Sequence, residues 1–101
     1  METAEKPIAI KVHETEKGTV VGACDIEHLG KTLDHEEISL SEDFYHEKYV
    51  SVKELVKHLE VCYTANLFGK RAIQGYCEKN PDAKDYVIEI SGIPHLQIYK
   101  L

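Results

Sequence analysis

Cys24-Asp25-Ile26-Glu27-His28 sets a thiol, two carboxylates and an imidazole in one short stretch. Two chemistries are conceivable for it. Cys24 and His28 could share a metal if His13 or His95 came near in space. A structural zinc site, however, wants four ligands in recognisable paired spacings, and these are absent. No metal and no cofactor are therefore expected. Asp25 reads more simply as a helix cap and Cys24 as core. The second chemistry is nucleophilic. Cys24 would need the His95 imidazole within about 3 Å of sulfur and Asp25 to orient it.

A second stretch, Ala65-Asn66-Leu67-Phe68-Gly69-Lys70-Arg71-Ala72, offers anion chemistry. The free N–H groups at a helix start attract phosphate or carboxylate, and Asn66, Lys70 and Arg71 would stand beside them. The P-loop pattern is absent. The plainer reading is that Ala65, Gly69 and Ala72 let a helix pack closely on a neighbour. The third stretch is the final strand. His95, Gln97 and Tyr99 alternate with Leu96 and Ile98, so the three polar side chains share a face. They supply donors, acceptors and one ring to a single-stranded RNA base or a peptide, or they form a solvated outer face.

Elements must hold these residues. Ile8, Ile10 and Val12 alternate with Ala9, Lys11 and His13, predicting a strand over Ile8–His13. A turn over Glu14–Gly18 leads to a second strand over Thr19–Cys24, together a hairpin. Asp25 and Gly30 bracket one short helical turn. Ile38 and Leu40 suggest a third strand, and Ser41–Val50 a loop packed on the domain. Ser51-Val52-Lys53-Glu54 is a capping box. The helix after it carries Val52, Leu55, Val56, Leu59 and Tyr63 on one face. A second helix is expected from Thr64 or Asn66, with Ala65, Phe68, Ala72, Ile73, Tyr76 and Cys77 aligned. Asn80-Pro81-Asp82 ends it. A fourth strand over Tyr86–Ile90, with Tyr86, Ile88 and Ile90 inward, turns through Ser91–Pro94 into the last.

The order β-β-(β)-α-α-β-β predicts an α+β domain: a mainly antiparallel sheet with two helices packed on one face. The other face would carry Lys11, His13, His95, Gln97 and Tyr99. Residues 1–7 read as a mobile lead-in and 8–101 as a single globular domain.

The net charge of −6 opposes non-specific binding to nucleic acid or anionic lipid. The three cysteines, Cys24, Cys62 and Cys77, form no C-x-x-C pair and no signal peptide precedes them. Reduced thiols in a reducing cytoplasm are the expectation, with Cys62 and Cys77 in the core. No apolar run approaches the roughly 18 residues of a membrane helix. Glu36-Glu37 and Glu42-Asp43 read as a solvated acidic face.

Ala23-Cys24-Asp25-Ile26-Glu27-His28-Leu29-Gly30-Lys31, then Ala65–Ala72, then Gly92-Ile93-Pro94-His95-Leu96-Gln97 together resemble a group of small archaeal proteins catalogued as domain of unknown function 424. The resemblance spans about Ile8 to Leu101. It implies a stand-alone cytoplasmic α+β domain and a link to RNA or translation, and it brings no catalytic residues. The expectation is thus a small binding or accessory module, associated with RNA or a ribonucleoprotein partner, monomeric or homodimeric. Its candidate binding residues are Asp25, Asn66, Lys70, Arg71, His95, Gln97 and Tyr99. The alternative is a small enzyme using Cys24, Asp25 and His95.

Overall fold

The computed structural model describes residues 7–33 and 38–100. The chain forms β1 (Ile8–Thr15), β2 (Gly18–Asp25), a 3-10 turn (Ile26–His28), β3 (Thr32–Leu33) and β4 (Ile38–Ser39). It continues through α1 (Glu42–Tyr45), β5 (Lys48–Val50), α2 (Val52–Val61), β6 (Thr64–Phe68) and α3 (Lys70–Lys79). A second 3-10 segment (Pro81–Tyr86), β7 (Ile88–Ile90) and β8 (Ile93–Tyr99) complete it. This is an α+β fold. Six strands make one sheet in the order β5-β1-β2-β6-β8-β7, and β3-β4 form a separate ribbon. Every pairing is antiparallel except β2 with β6. Of the expected lead-in, residues 1–6 lie outside the described residues, as does Glu36-Glu37.

The hairpin forms as its alternation predicts, with Val12 opposite Val21 and Ile10 opposite Ala23. Ser51 starts α2 with a full capping box: its hydroxyl accepts from the Glu54 N–H, and the Glu54 carboxylate accepts from the Ser51 N–H. Leu55 and Leu59 of α2 and Ala72, Ile73 and Cys77 of α3 pack with Ile8, Ile10, Val21, Ala23, Ala65, Leu67, Leu96 and Ile98 as the main core. Burying each large aliphatic side chain contributes about 1.5–3 kcal/mol.

Three expectations need correction. The second helix does not begin at Thr64 or Asn66. Thr64–Phe68 is a central strand, and α3 starts at Lys70. Ala65 and Leu67 face the helices while Asn66 and Phe68 face away, so this is a period-two segment too short to tell from a helix by pattern. The order is therefore helix, strand, helix between the hairpin and the last two strands. Second, Tyr86 belongs to the 3-10 segment, and Tyr86 and Ile88 are exposed, not inward. Pro81 favours the tight turn start that diverts this stretch from the sheet. Third, Ser41–Val50 is not a loop. Ser41 caps the short α1, and Lys48–Val50 is an edge strand on β1.

Candidate functional site

The start of α3 was the expected anion site. The N–H groups of its second and third residues are already engaged. Gly69, the residue before the helix, has no side chain to cap with. The carboxylate of Asp25, at the end of β2, accepts from the Arg71 N–H at 3.1 Å and the Ala72 N–H at 2.8 Å. These are the second and third helical positions, the ones an ordinary N-cap serves. Asp25 caps this helix from across the sequence, not the 3-10 turn that follows it, where it makes no side-chain cap. It is 1% exposed. The two segments are fitted tightly: a Cβ on Gly69 would lie 2.3 Å from Asp25 Cγ, and Gly69 has φ +107.

The Arg71 guanidinium bonds Glu27 and stands 3.9 Å from Asp25. Burial alone would raise the Glu27 carboxyl, but the bond to Arg71, with help from its own backbone, holds it below the ordinary value. Asp25, Glu27 and His28 place ligand-type atoms within 4.8 Å of one another. The cation that meets these carboxylates is Arg71 of the chain itself. Lys70 is exposed and Asn66 lies on the other side of the sheet. The set Asn66, Lys70, Arg71 therefore does not converge on a phosphate.

The Cys24–Asp25–His95 constellation does not form either. Cys24 and Asp25 are adjacent in a strand and point to opposite faces. Phe68 lies between Cys24 and His95 in the register, so the two are about 10 Å apart. Cys24 is fully buried, and its thiol donates to the Asp25 carbonyl at 3.2 Å. Burial, then the Asp25 and Glu27 charges, push that thiol up to about 12, the opposite of an activated nucleophile.

What the fold does assemble is the sheet face away from α2 and α3. The register lays it out in rows. One row is Ala9, Cys24, Phe68 and His95; the next is Lys11, Gly22, Asn66 and Gln97; the third is His13, Val20, Thr64 and Tyr99. The first row is covered. Tyr45, Leu33 and Leu40 pack with Cys24, Phe68 and Ile93 as a second core. The expected outer lysine and histidine serve as anchors here. Lys11 Nζ donates to the Asp43 carbonyl at 2.8 Å, and His13 Nε2 lies 2.9 Å from the Phe44 carbonyl. Both tie α1 to the sheet. Gly22 leaves the space Phe44 fills, since a Cβ there would stand 2.8 Å from the Phe44 ring.

The rings run in sequence across this face. His13 stacks on Phe44 at 4.4 Å, Phe44 meets Tyr45 at 4.8 Å, Tyr45 meets Phe68 at 5.9 Å, and Phe68 stacks on His95 at 4.1 Å. Beside them opens a shallow cleft of about 360 Å³. Its floor is Asn66, Phe68 and His95, and its wall is Ile38, Ser39, Phe44 and Tyr45. His95 Nδ1 lies 3.1 Å from the Leu67 carbonyl, which makes it the donor and leaves Nε2 as an acceptor. Burial lowers the His95 pKa, against the opposing effect of that bond, so the ring is neutral near pH 7. Asn66 is directly opposite Gln97, and among the described residues neither side-chain amide has a hydrogen-bond partner. Tyr99 follows on the same face, 64% exposed, with its ring 5.9 Å from Tyr63.

The seven candidate residues thus divide. Asp25, Arg71 and, at the surface, Lys70 belong to the start of α3. Asn66, His95, Gln97 and Tyr99 share the outer face. Sequence reasoning missed the residues that wall the cleft, Ser39, Phe44 and Tyr45. Their signal was present as the aromatic pair Phe44-Tyr45 in an otherwise polar stretch.

Among the described residues no helix is long and apolar enough to cross a membrane. No curated protein matches the sequence. The fold is similar to the crystal structure of an uncharacterized conserved protein from Methanopyrus kandleri. The two share 26% identity and a TM-score of 0.73, over 94% of this chain and 92% of that one. The family described as "Protein of unknown function (DUF424)" matches residues 12–101, nearly the whole length, and the chain belongs to it.

Proposed function

We propose that this protein is a binding module and that the outer face of β6 and β8 receives single-stranded RNA in a reducing cytoplasm. One observation carries the reading. Asn66 and Gln97 present two unengaged amides side by side, between the neutral His95 and the exposed ring of Tyr99. Paired donors and acceptors next to an exposed ring match the edge and the face of an unstacked base. Three free, buried cysteines suit a reducing compartment.

The charge bears on how such binding would work. With a net charge of −6, the protein has little to offer a phosphate backbone. Base contacts would therefore dominate, and affinity would depend weakly on salt. One or two phosphate contacts give a log–log slope of about −1. Fluorescence titration with short single-stranded RNA tests this. Tyr99→Ala should weaken binding about tenfold, the loss of roughly one stacked base. Equal affinity of wild type and Tyr99→Ala, or a steep salt slope, would overturn the reading.

A further inference from the structure

Among the described residues, the sheet is incomplete along one side of β8. Hydrogen bonds fix which way each β8 residue faces. Gly69 donates to the Pro94 carbonyl at 2.9 Å, and Lys100 donates to the Tyr63 carbonyl at 3.0 Å. Even-numbered residues of β8 therefore direct their backbone groups to the β6 side, and odd-numbered ones to the opposite side. On that opposite side β7 takes up Ile93 and His95, opposite Ile90 and Ile88. Gln97 and Tyr99 come next, and β7 does not reach them. The residues that would continue it coil away as the 3-10 segment Pro81–Tyr86. Among the described residues, no backbone partner meets the N–H and C=O groups of Gln97 and Tyr99.

The space left by that departure is a groove of about 300 Å³. Tyr76, Ala83 and Tyr86 wall it, and Leu96, Ile98 and Tyr99 form its other side. Tyr86 and Tyr99 stand 72% and 64% exposed at its mouth. The groove is apolar at Ala83, Leu96 and Ile98 and polar at its rim, where Asn80, Asp82 and Lys100 stand. A row of unpaired backbone groups beside such a groove is what strand addition uses: main-chain bonds bind, and alternate side chains enter the groove. We infer that the β8 edge at Gln97 and Tyr99 binds an extended peptide of a partner protein, which continues the line of β7.

The dimensions select a peptide over a second copy of this chain. Two outward-facing residues span about 7 Å of strand. A joint between two copies would have only this short edge on each side to pair through. The 3-10 segment also walls the groove on its far side, so each of two copies would bring its own wall to the joint. A single strand of four or five residues meets neither difficulty. The edge shares Gln97 and Tyr99 with the proposed RNA face, and amide protection by peptide in the absence of RNA separates the two readings.

The test is selection of heptapeptides from a random displayed library against the full chain, followed by amide hydrogen exchange with the enriched peptide. The Gln97 and Tyr99 amides should exchange freely without peptide and become at least tenfold slower with it. Gln97→Pro removes one edge N–H at a position where an edge strand tolerates proline. It should abolish peptide binding while the protein still unfolds cooperatively. Ala83→Trp, which fills the groove, should do the same without touching the edge. Failure to enrich any peptide would overturn the inference. So would an enriched peptide that leaves both amides unprotected, or protection that appears with protein concentration alone, the mark of self-pairing.

Discussion

Single residues settle much of the chemistry here. The Asp25 carboxyl group caps the start of α3, where two backbone N–H groups would otherwise lose their partner. Asp25→Ala should cost about 3 kcal/mol of unfolding free energy in urea titration, and Asp25→Asn less, because the amide oxygen can still accept. A loss within experimental error for Asp25→Ala would show that α3 does not depend on this cap. His95 adds a pH dependence. Its folded pKa lies below the ordinary 6.5, with burial the larger cause. Its contribution is therefore fully present above 6.5 and lost as the pH falls through the lowered folded value. Wild-type stability should fall more steeply below pH 6.5 than that of His95→Gln, measured by urea unfolding at stepped pH. Parallel curves would contradict it. Asp25 was legible in the sequence as a cap, but not the helix it caps. Its partner lies far along the chain, and spacing cannot announce that.

Elements show where local pattern suffices and where it does not. The β1–β2 hairpin and the capping box of α2 were readable because their determinants are neighbours: alternating apolar residues, and Ser51 with Glu54. Thr64–Phe68 misled because Ala and Leu suit a helix and no Gly or Pro precedes them. Gly69, at positive φ, is the break that divides strand from helix, and it follows the segment. The cover over the outer face was invisible for a different reason. α1, β3 and β4 are very short; α1 owes its position to Gly22, Lys11 and His13 beneath it, and β3 and β4 pack onto the second core through Leu33 and Ile38. Gly22→Ala tests this at the scale of the element. Its methyl meets the Phe44 ring and carbonyl, so the substitution should destabilise by about 1–3 kcal/mol. Hydrogen exchange should show α1 opening before the β1–β2 hairpin does. Unchanged stability and protection would mean that α1 is held elsewhere.

At the scale of the molecule, two faces of one sheet have different work. The face toward α2 and α3 holds the main core and ends at the Asp25–Arg71 joint. The opposite face is part covered and part open, and its open part gathers Asn66, His95, Gln97 and Tyr99. The motif Gly92–Gln97 and the segment Ala65–Phe68, remote in sequence, become neighbouring strands there. Cys24-Asp25, the third motif, supports both faces from β2 and opens onto neither. The most direct test of the central claim is NMR titration of the labelled protein with short single-stranded RNA, following the side-chain amide signals of Asn66 and Gln97. The account predicts saturable shifts at those two amides, at His95 and at Tyr99, with the α2 and α3 surfaces unmoved. Absence of shifts at the amide pair, or shifts centred on Lys70 and Arg71 instead, would contradict it.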